Sequence, residues 1–125
     1  MECDWGFHAA LINAYGRESY GKVLDLMGAK NFVLTLNSDD YHFKNVTSPP
    51  SFDDLSDRVH GTPEFLRSPK GAANRLQMVC NETGKLAGMP INYPATVFAA
   101  DNGFRFSGAI VGPVVIIKGK KAVVR

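Results

Sequence analysis

Asp39, Asp40 and His42 put two carboxylates beside an imidazole, a set that can hold a divalent metal or shuttle a proton. Put to work, they would make a small metal-dependent hydrolase or nuclease. Strand alternation, however, sends Asp40 and His42 to the face opposite Tyr41, toward solvent, where they amount to a turn with an exposed histidine. His8 and His60 lack the partner spacing of a zinc site, which needs about four ligands. No G-x-S-x-G, Walker or H-E-x-x-H pattern occurs. These residues therefore predict no catalytic group, no metal site and no cofactor.

A different chemistry gathers in VCNETGKLAGMPINYPAT, residues 79 to 96. A chain turning at Asn81-Glu82-Thr83-Gly84 and again at Pro90-Ile91-Asn92 can bring one cation, Lys85, and two amides, Asn81 and Asn92, into a single concavity. That set suits a phosphate and the edge of a base or ribose. Tyr93, Phe98, Phe104 and Phe106 around Arg105 add faces on which a purine could stack. The expected ligand-binding residues are thus Asn81, Lys85, Asn92, Tyr93 and Arg105. The same residues also fit a purely architectural reading: Asn81 and Gly84 shape a turn, Asn92 caps a helix, Glu82 and Lys85 are solvated, and the aromatics are core.

The elements that would position them follow from periodicity. Asp4 can cap a helix over Trp5 to Tyr15 with Phe7, Leu11, Ile12 and Tyr15 on one stripe, and Ser19 a second helix stopped by Gly28 in a left-handed conformation. NFVLTL and YHFKNV alternate about a turn-rich Asn37 to Asp40, a hairpin over residues 31 to 46. Pro49-Pro50 demands a loop. Ser51 and Asp54 resemble a capping box for a short helix, and Thr62-Pro63-Glu64 opens a further helical turn. Residues 47 to 74 read as a mobile insertion or long loop. Arg75 to Cys80 alternates as a half-buried strand, and Gly84 is assigned a positive φ in the hairpin loop that follows. Pro94 opens a helix to about Asp101, with Asn92 at its cap and Gly103 past its end. GAIVGPVVIIKG is a buried strand bent at Gly112-Pro113. The sum is an α+β fold: one domain over residues 1 to 125, a mixed or antiparallel sheet, and three to five short helices.

With 125 residues, 45% of them apolar and eight Phe, the chain can bury about two-thirds of its unfolded surface in one core. No apolar run approaches the roughly 18 residues of a membrane span. The opening MECDWGFHAAL carries Glu2 and Asp4 and no basic stretch, unlike a secretion signal. Cys3 and Cys80 form no CxxC pair, so both are expected as reduced thiols, Cys80 in a core strand, in a cytoplasmic protein. The net charge of +2 conceals a split: residues 1 to 64 hold ten acids and five bases, residues 65 to 125 nine bases and two acids. Unless the halves interleave, such a split steers an anion to one face or lets copies dock head to tail as a homo-oligomer. Lys118, Lys120, Lys121 and Arg125 form a basic tail, expected to be solvated or to contact an acidic neighbour.

Asn81-Glu82-Thr83-Gly84-Lys85-Leu86-Ala87-Gly88-Met89-Pro90-Ile91-Asn92 followed by Ile110-Val111-Gly112-Pro113-Val114-Val115-Ile116 resembles the pattern N-E-x-G-K-L-x-G-[LM]-P-x-N, short helix, I-x-G-x-V-V-[VI] of an uncharacterised domain family found in bacteriophages and mobile elements. The resemblance covers about residues 76 to 119, with Tyr93 where the family usually has arginine. It implies a small mixed α/β fold and a phage or mobile-element origin in a bacterial cytoplasm, and it supplies no catalytic residue. Together with the basic half, it suggests an accessory protein that acts by binding, sequestering a nucleotide-type host immune signal. Two alternatives remain: an inhibitor of a host defence protein that uses Asp53, Asp54 and Asp57 as a nucleic-acid mimic, and the Asp39, Asp40, His42 hydrolase.

Overall fold

The computed structural model describes the backbone of residues 2–125 and the side chains of residues 6–125. α1 begins at Glu2, so Asp4 lies inside the helix and not at the cap its sequence predicts, and the side chains of Cys3, Asp4 and Trp5 lie outside the described residues. Ten elements follow in order: α1 (Glu2–Tyr15), α2 (Arg17–Leu26), β1 (Phe32–Leu36), β2 (Tyr41–Asn45), α3 (Phe52–Val59), β3 (Pro63–Phe65), α4 (Pro69–Ala73), β4 (Leu76–Asn81), α5 (Tyr93–Asp101) and β5 (Val114–Lys118). The strands form one antiparallel sheet in the order β2-β1-β5-β4-β3, so the fold is α+β with one domain and five helices. No helix among the described residues is long and apolar enough to cross a membrane.

Two apolar layers sandwich the sheet. Phe32, Leu34, Leu36, Met78, Val114 and Ile116 point to α1, α2 and α5, and Phe7 of α1 meets Phe98 of α5 with ring centroids 5.1 Å apart. On the other face, Val33, Val79, Val115 and Ile117 are covered by Leu55 and Val59 of α3 and by Ala122 from the C-terminal segment. β1 is therefore buried on both faces along its whole length, Thr35 included, where simple alternation would leave one side wet. Residues 47–74 are no long loop: they supply α3, β3 and α4, with Leu55 and Val59 in the second core.

Local signals explain most boundaries. Ser51 Oγ accepts from Asp54 N at 3.1 Å, and Asn92 Oδ1 accepts from Ala95 N at 3.2 Å, capping α3 and α5 as their sequences predict. Three expectations are corrected. Thr62-Pro63-Glu64 starts no helix: Pro63 opens the edge strand β3, where a missing N–H costs nothing, and Glu82 N donates to Thr62 O at 2.9 Å. Gly28 is not left-handed, and α2 starts at Arg17 after Gly16, which has φ 89° and no side-chain cap. In the turn after β4 the positive φ belongs to Gly88, at 69°, instead of Gly84, and the chain coils through turns without a returning strand.

The C-terminal segment is fastened as firmly as a strand. Gly119 adopts φ 112°, and a Cβ there would stand 2.1 Å from Lys30 O, so only glycine allows this turn. Asn31 Oδ1 then accepts from Lys121 N at 2.8 Å. The Gln77 amide donates to Val124 O at 2.7 Å and accepts from Val124 N at 2.8 Å, a reciprocal pair that mimics a sheet ladder and fixes where Arg125 sits.

Candidate functional site

α4 is short, yet it is anchored at both ends. Ser68 Oγ accepts from Gly71 N at 2.8 Å and donates to Asn102 O at 2.8 Å, joining the start of α4 to the end of α5. Arg67, just before this cap, and Arg105, just after α5, face each other in an isolated bridge in which Arg105 N donates to Arg67 O at 2.8 Å. Arg75 follows α4, and its carbonyl accepts from Gly119 N at 2.9 Å, which brings in the C-terminal segment and Arg125.

These four arginines line one groove of about 580 Å³, within the roughly 300–1,000 Å³ of small-molecule sites. Its apolar wall includes Leu76, Phe104 and Phe65, the last 41% exposed. Among the described residues, no Asp or Glu lines it. All four arginines are exposed, and with no Asp or Glu in the groove lining to offset them they raise the local positive potential, which favours an anion. Arginine is also the better residue for the task, since its planar fork meets two oxygens of a phosphate at once.

Arg75 carries a conformational cost. Its φ of 54° lies in the left-handed region, at the position after a helix cap where glycine is the usual residue. Arg75→Gly should therefore raise unfolding stability by about 0.5 kcal/mol, the relief of left-handed strain exceeding glycine's larger unfolded-state entropy. The same variant should weaken binding of a phosphate-bearing ligand about fivefold to tenfold. His60→Gly is the comparison, since among the described residues His60 is the other left-handed non-glycine residue, at φ 61° after α3 and absent from the groove lining. Urea melts and calorimetric titrations of both variants read the two effects. An Arg75→Gly protein that binds as well as the parent would remove Arg75 from the site.

A second, smaller groove of about 280 Å³ adjoins the first, sharing Leu66 and Arg105. Lys85 lines it and donates through Nζ to Ser107 O, and Glu64, Glu82 and Phe106 complete its polar and aromatic walls. Asn81 lines it too, but its amide is spent: Nδ2 donates to Val59 O at 3.0 Å and His60 O at 3.1 Å, while Oδ1 accepts from Thr83 N at 2.8 Å. Cys80 is buried below, and Glu64 Oε1 accepts from its Sγ at 3.8 Å. Burial first, and the Glu64 carboxylate second, push this thiol up to about 11, so it stays protonated near neutrality and is a poor nucleophile.

Of the five residues expected to bind ligand, Lys85, Arg105 and Asn81 thus meet in one groove. Asn92 does not join them: it is 1% exposed, and its Nδ2 donates to Leu36 O and Gly112 O, both at 2.8 Å. Tyr93 lines a separate apolar cleft between α1 and α5. Phe98 and Phe104 belong to the core, Phe104 at the wall of the larger groove, and Phe65 and Phe106 are the more exposed aromatic faces lining the two grooves. Arg67 and Arg75 escape a reading of local spacing. No local signal marks them: only the fold shows that the arginines of residues 65 to 125 share a groove, whereas Lys70, Lys118, Lys120 and Lys121 line neither.

The other candidate groups stay apart. The hollow beside Asp39 and Asp40 is lined by His60 and not by His42, and Asp40 accepts from Asn37 Nδ2 at 2.6 Å. Among the described residues, no three His, Cys, Asp or Glu side chains stand together as a metal set. On α3, Asp54 pairs with Arg58 at 3.1 Å, and Arg58 also donates to Thr35 Oγ1 at 2.8 Å. That leaves Asp53 and Asp57 as the exposed acids of this helix. Comparison of the chain with models of known protein families, with curated proteins and with solved structures returned no match.

Proposed function

We propose that this protein binds a nucleotide-type anion in the groove formed by Arg67, Arg75, Arg105 and Arg125, and that it acts by holding this ligand. One observation carries the reading: four arginines from separate elements line one concavity that no Asp or Glu among the described residues lines. A phosphate chain supplies the missing negative charge, and Phe65 offers a face beside it. Read with the resemblance of residues 76 to 119 to a phage and mobile-element family, such holding serves counter-defence: the ligand withdrawn is a nucleotide-type immune signal of the bacterial host.

Isothermal titration of the full chain with inorganic pyrophosphate, a nucleoside diphosphate and the matching uncharged nucleoside tests the binding. The diphosphate should bind, the nucleoside should not, and pyrophosphate should compete with the diphosphate. Raising salt from about 0.05 M to about 0.5 M should weaken binding at least about fivefold, because exposed charges are screened over a Debye length of roughly 10 Å at 0.1 M. A nucleoside that binds as well as its diphosphate, or no binding of any anion, would overturn the proposal.

A further inference from the structure

We infer that the smaller groove reads the base of the nucleotide whose phosphates the arginines hold, and that the base it fits is guanine. The inference rests on the arginine groove being a phosphate site. Arg105 and Leu66 belong to both grooves, so a ligand lying across Arg105 occupies the two at once. The grooves differ in chemistry. Among the described residues, the larger one is lined by four arginines and no Asp or Glu, as phosphates favour; the smaller one mixes cations with the carboxylates of Glu64 and Glu82, which repel phosphates and accept N–H groups. At about 280 Å³ it has room for a purine, with little left for a phosphate chain.

The choice among bases follows from donor and acceptor patterns. Guanine presents N1–H and the N2 amino group side by side, two donors that one carboxylate can accept together, and presents O6 and N7 as acceptors on the neighbouring edge. Adenine, cytosine and uracil offer no adjacent pair of N–H donors on the pairing edge. Glu64 and Glu82 supply carboxylates in this groove, and Arg105 and Lys85 supply donors for O6 and N7, the pairing arginine favours with guanine. Lys85 has given one N–H to Ser107 O and keeps two. Glu64 is the better placed acid: it sits on the edge strand β3 opposite Cys80, and the Cys80 thiol donates to Oε1, leaving Oε2 and further lone pairs for a base. Phe106, half-buried in the same wall, can stack on the ring.

Competitive titration of the full chain with GDP, IDP, ADP and CDP separates this inference from the one beneath it. All four carry the same phosphates; IDP differs from GDP only in lacking the N2 amino group. GDP should bind about tenfold or more tighter than ADP or CDP, with IDP in between. Glu64→Gln, which places an amide N–H against the guanine donors, should collapse the GDP preference over ADP to less than about threefold. Glu64 is exposed on an edge strand, so the variant is expected to fold, and thermal unfolding checks this. Equal affinity for all four diphosphates would overturn the base reading and leave the arginine groove standing. A GDP preference that survives Glu64→Gln would overturn it as well. Failure of every diphosphate to bind would overturn both.

Discussion

Replacing Arg67 and Arg105 together by glutamine is expected to lower affinity for a nucleoside diphosphate about a hundredfold or more. A hydrogen bond to a charged partner contributes about 1.5–3 kcal/mol net, and about 1.4 kcal/mol is a factor of ten, so two lost guanidiniums account for that loss. The fold should not suffer, since the link between the two residues runs through backbone atoms, Arg105 N to Arg67 O, and survives the change of side chain. Stability should hold or rise slightly as repulsion among four like charges is relieved. Lysine at both positions keeps the charge but loses the planar fork, and an intermediate loss of about tenfold is expected. The control is Lys70→Gln with Lys120→Gln, which removes the same two charges from outside the groove. If that control weakens binding as much as the arginine pair does, the ligand is feeling only net charge and the groove is not its site.

The contrast between the arginines and the asparagines shows what a sequence discloses. Periodicity and capping are local, so β1, α3 and α5 were legible from NFVLTL, Ser51 and Asn92, and β5 from GAIVGPVVIIKG, although only Val114–Lys118 of that run is strand and residues 108–113 before it are not. β3 was not, because Thr62-Pro63-Glu64 carries a helix-start signature that pairing with β4 overrides, a long-range term no local window contains. α4 was missed although Ser68-Pro69 is a cap followed by a proline at the first turn. At the site, the polar cluster of residues 81 to 92 drew attention because its members lie close in sequence. Asn81 and Asn92 nonetheless serve the backbone, and only Lys85 keeps side-chain donors to spare. The arginines come from the loop after β3, the end of α4, the loop after α5 and the C-terminal segment, and only the sheet brings them together.

Asn92→Ala should be among the most destabilising single substitutions in the chain, at about 3–5 kcal/mol. The side chain joins three elements: its amide nitrogen donates to Leu36 O at the end of β1 and to Gly112 O before β5, and its oxygen accepts from Ala95 N in the first turn of α5. Alanine leaves two buried carbonyls without this donor, each costing about 1–3 kcal/mol, and removes a cap worth about 1 kcal/mol. Against a total stability of about 5–15 kcal/mol for a native domain, this approaches unfolding. Asn92→Ser divides the two contributions, since a serine oxygen can still cap α5 but cannot reach both carbonyls; its cost should be smaller than alanine's by about the cap alone. Asn92→Asp keeps the cap and sets a buried carboxylate against two carbonyl oxygens, which raises its pKa above the unfolded value of about 3.9. The folded state then binds the proton more tightly, so the deficit of this variant should shrink as pH falls and be largest above the folded pKa. Urea melts at neutral and acid pH read all three. Where enough Asn92→Ser protein remains folded, its affinity for a diphosphate should match the parent, because Asn92 lines neither groove. A loss of affinity in folded Asn92→Ser would instead return this residue to the ligand.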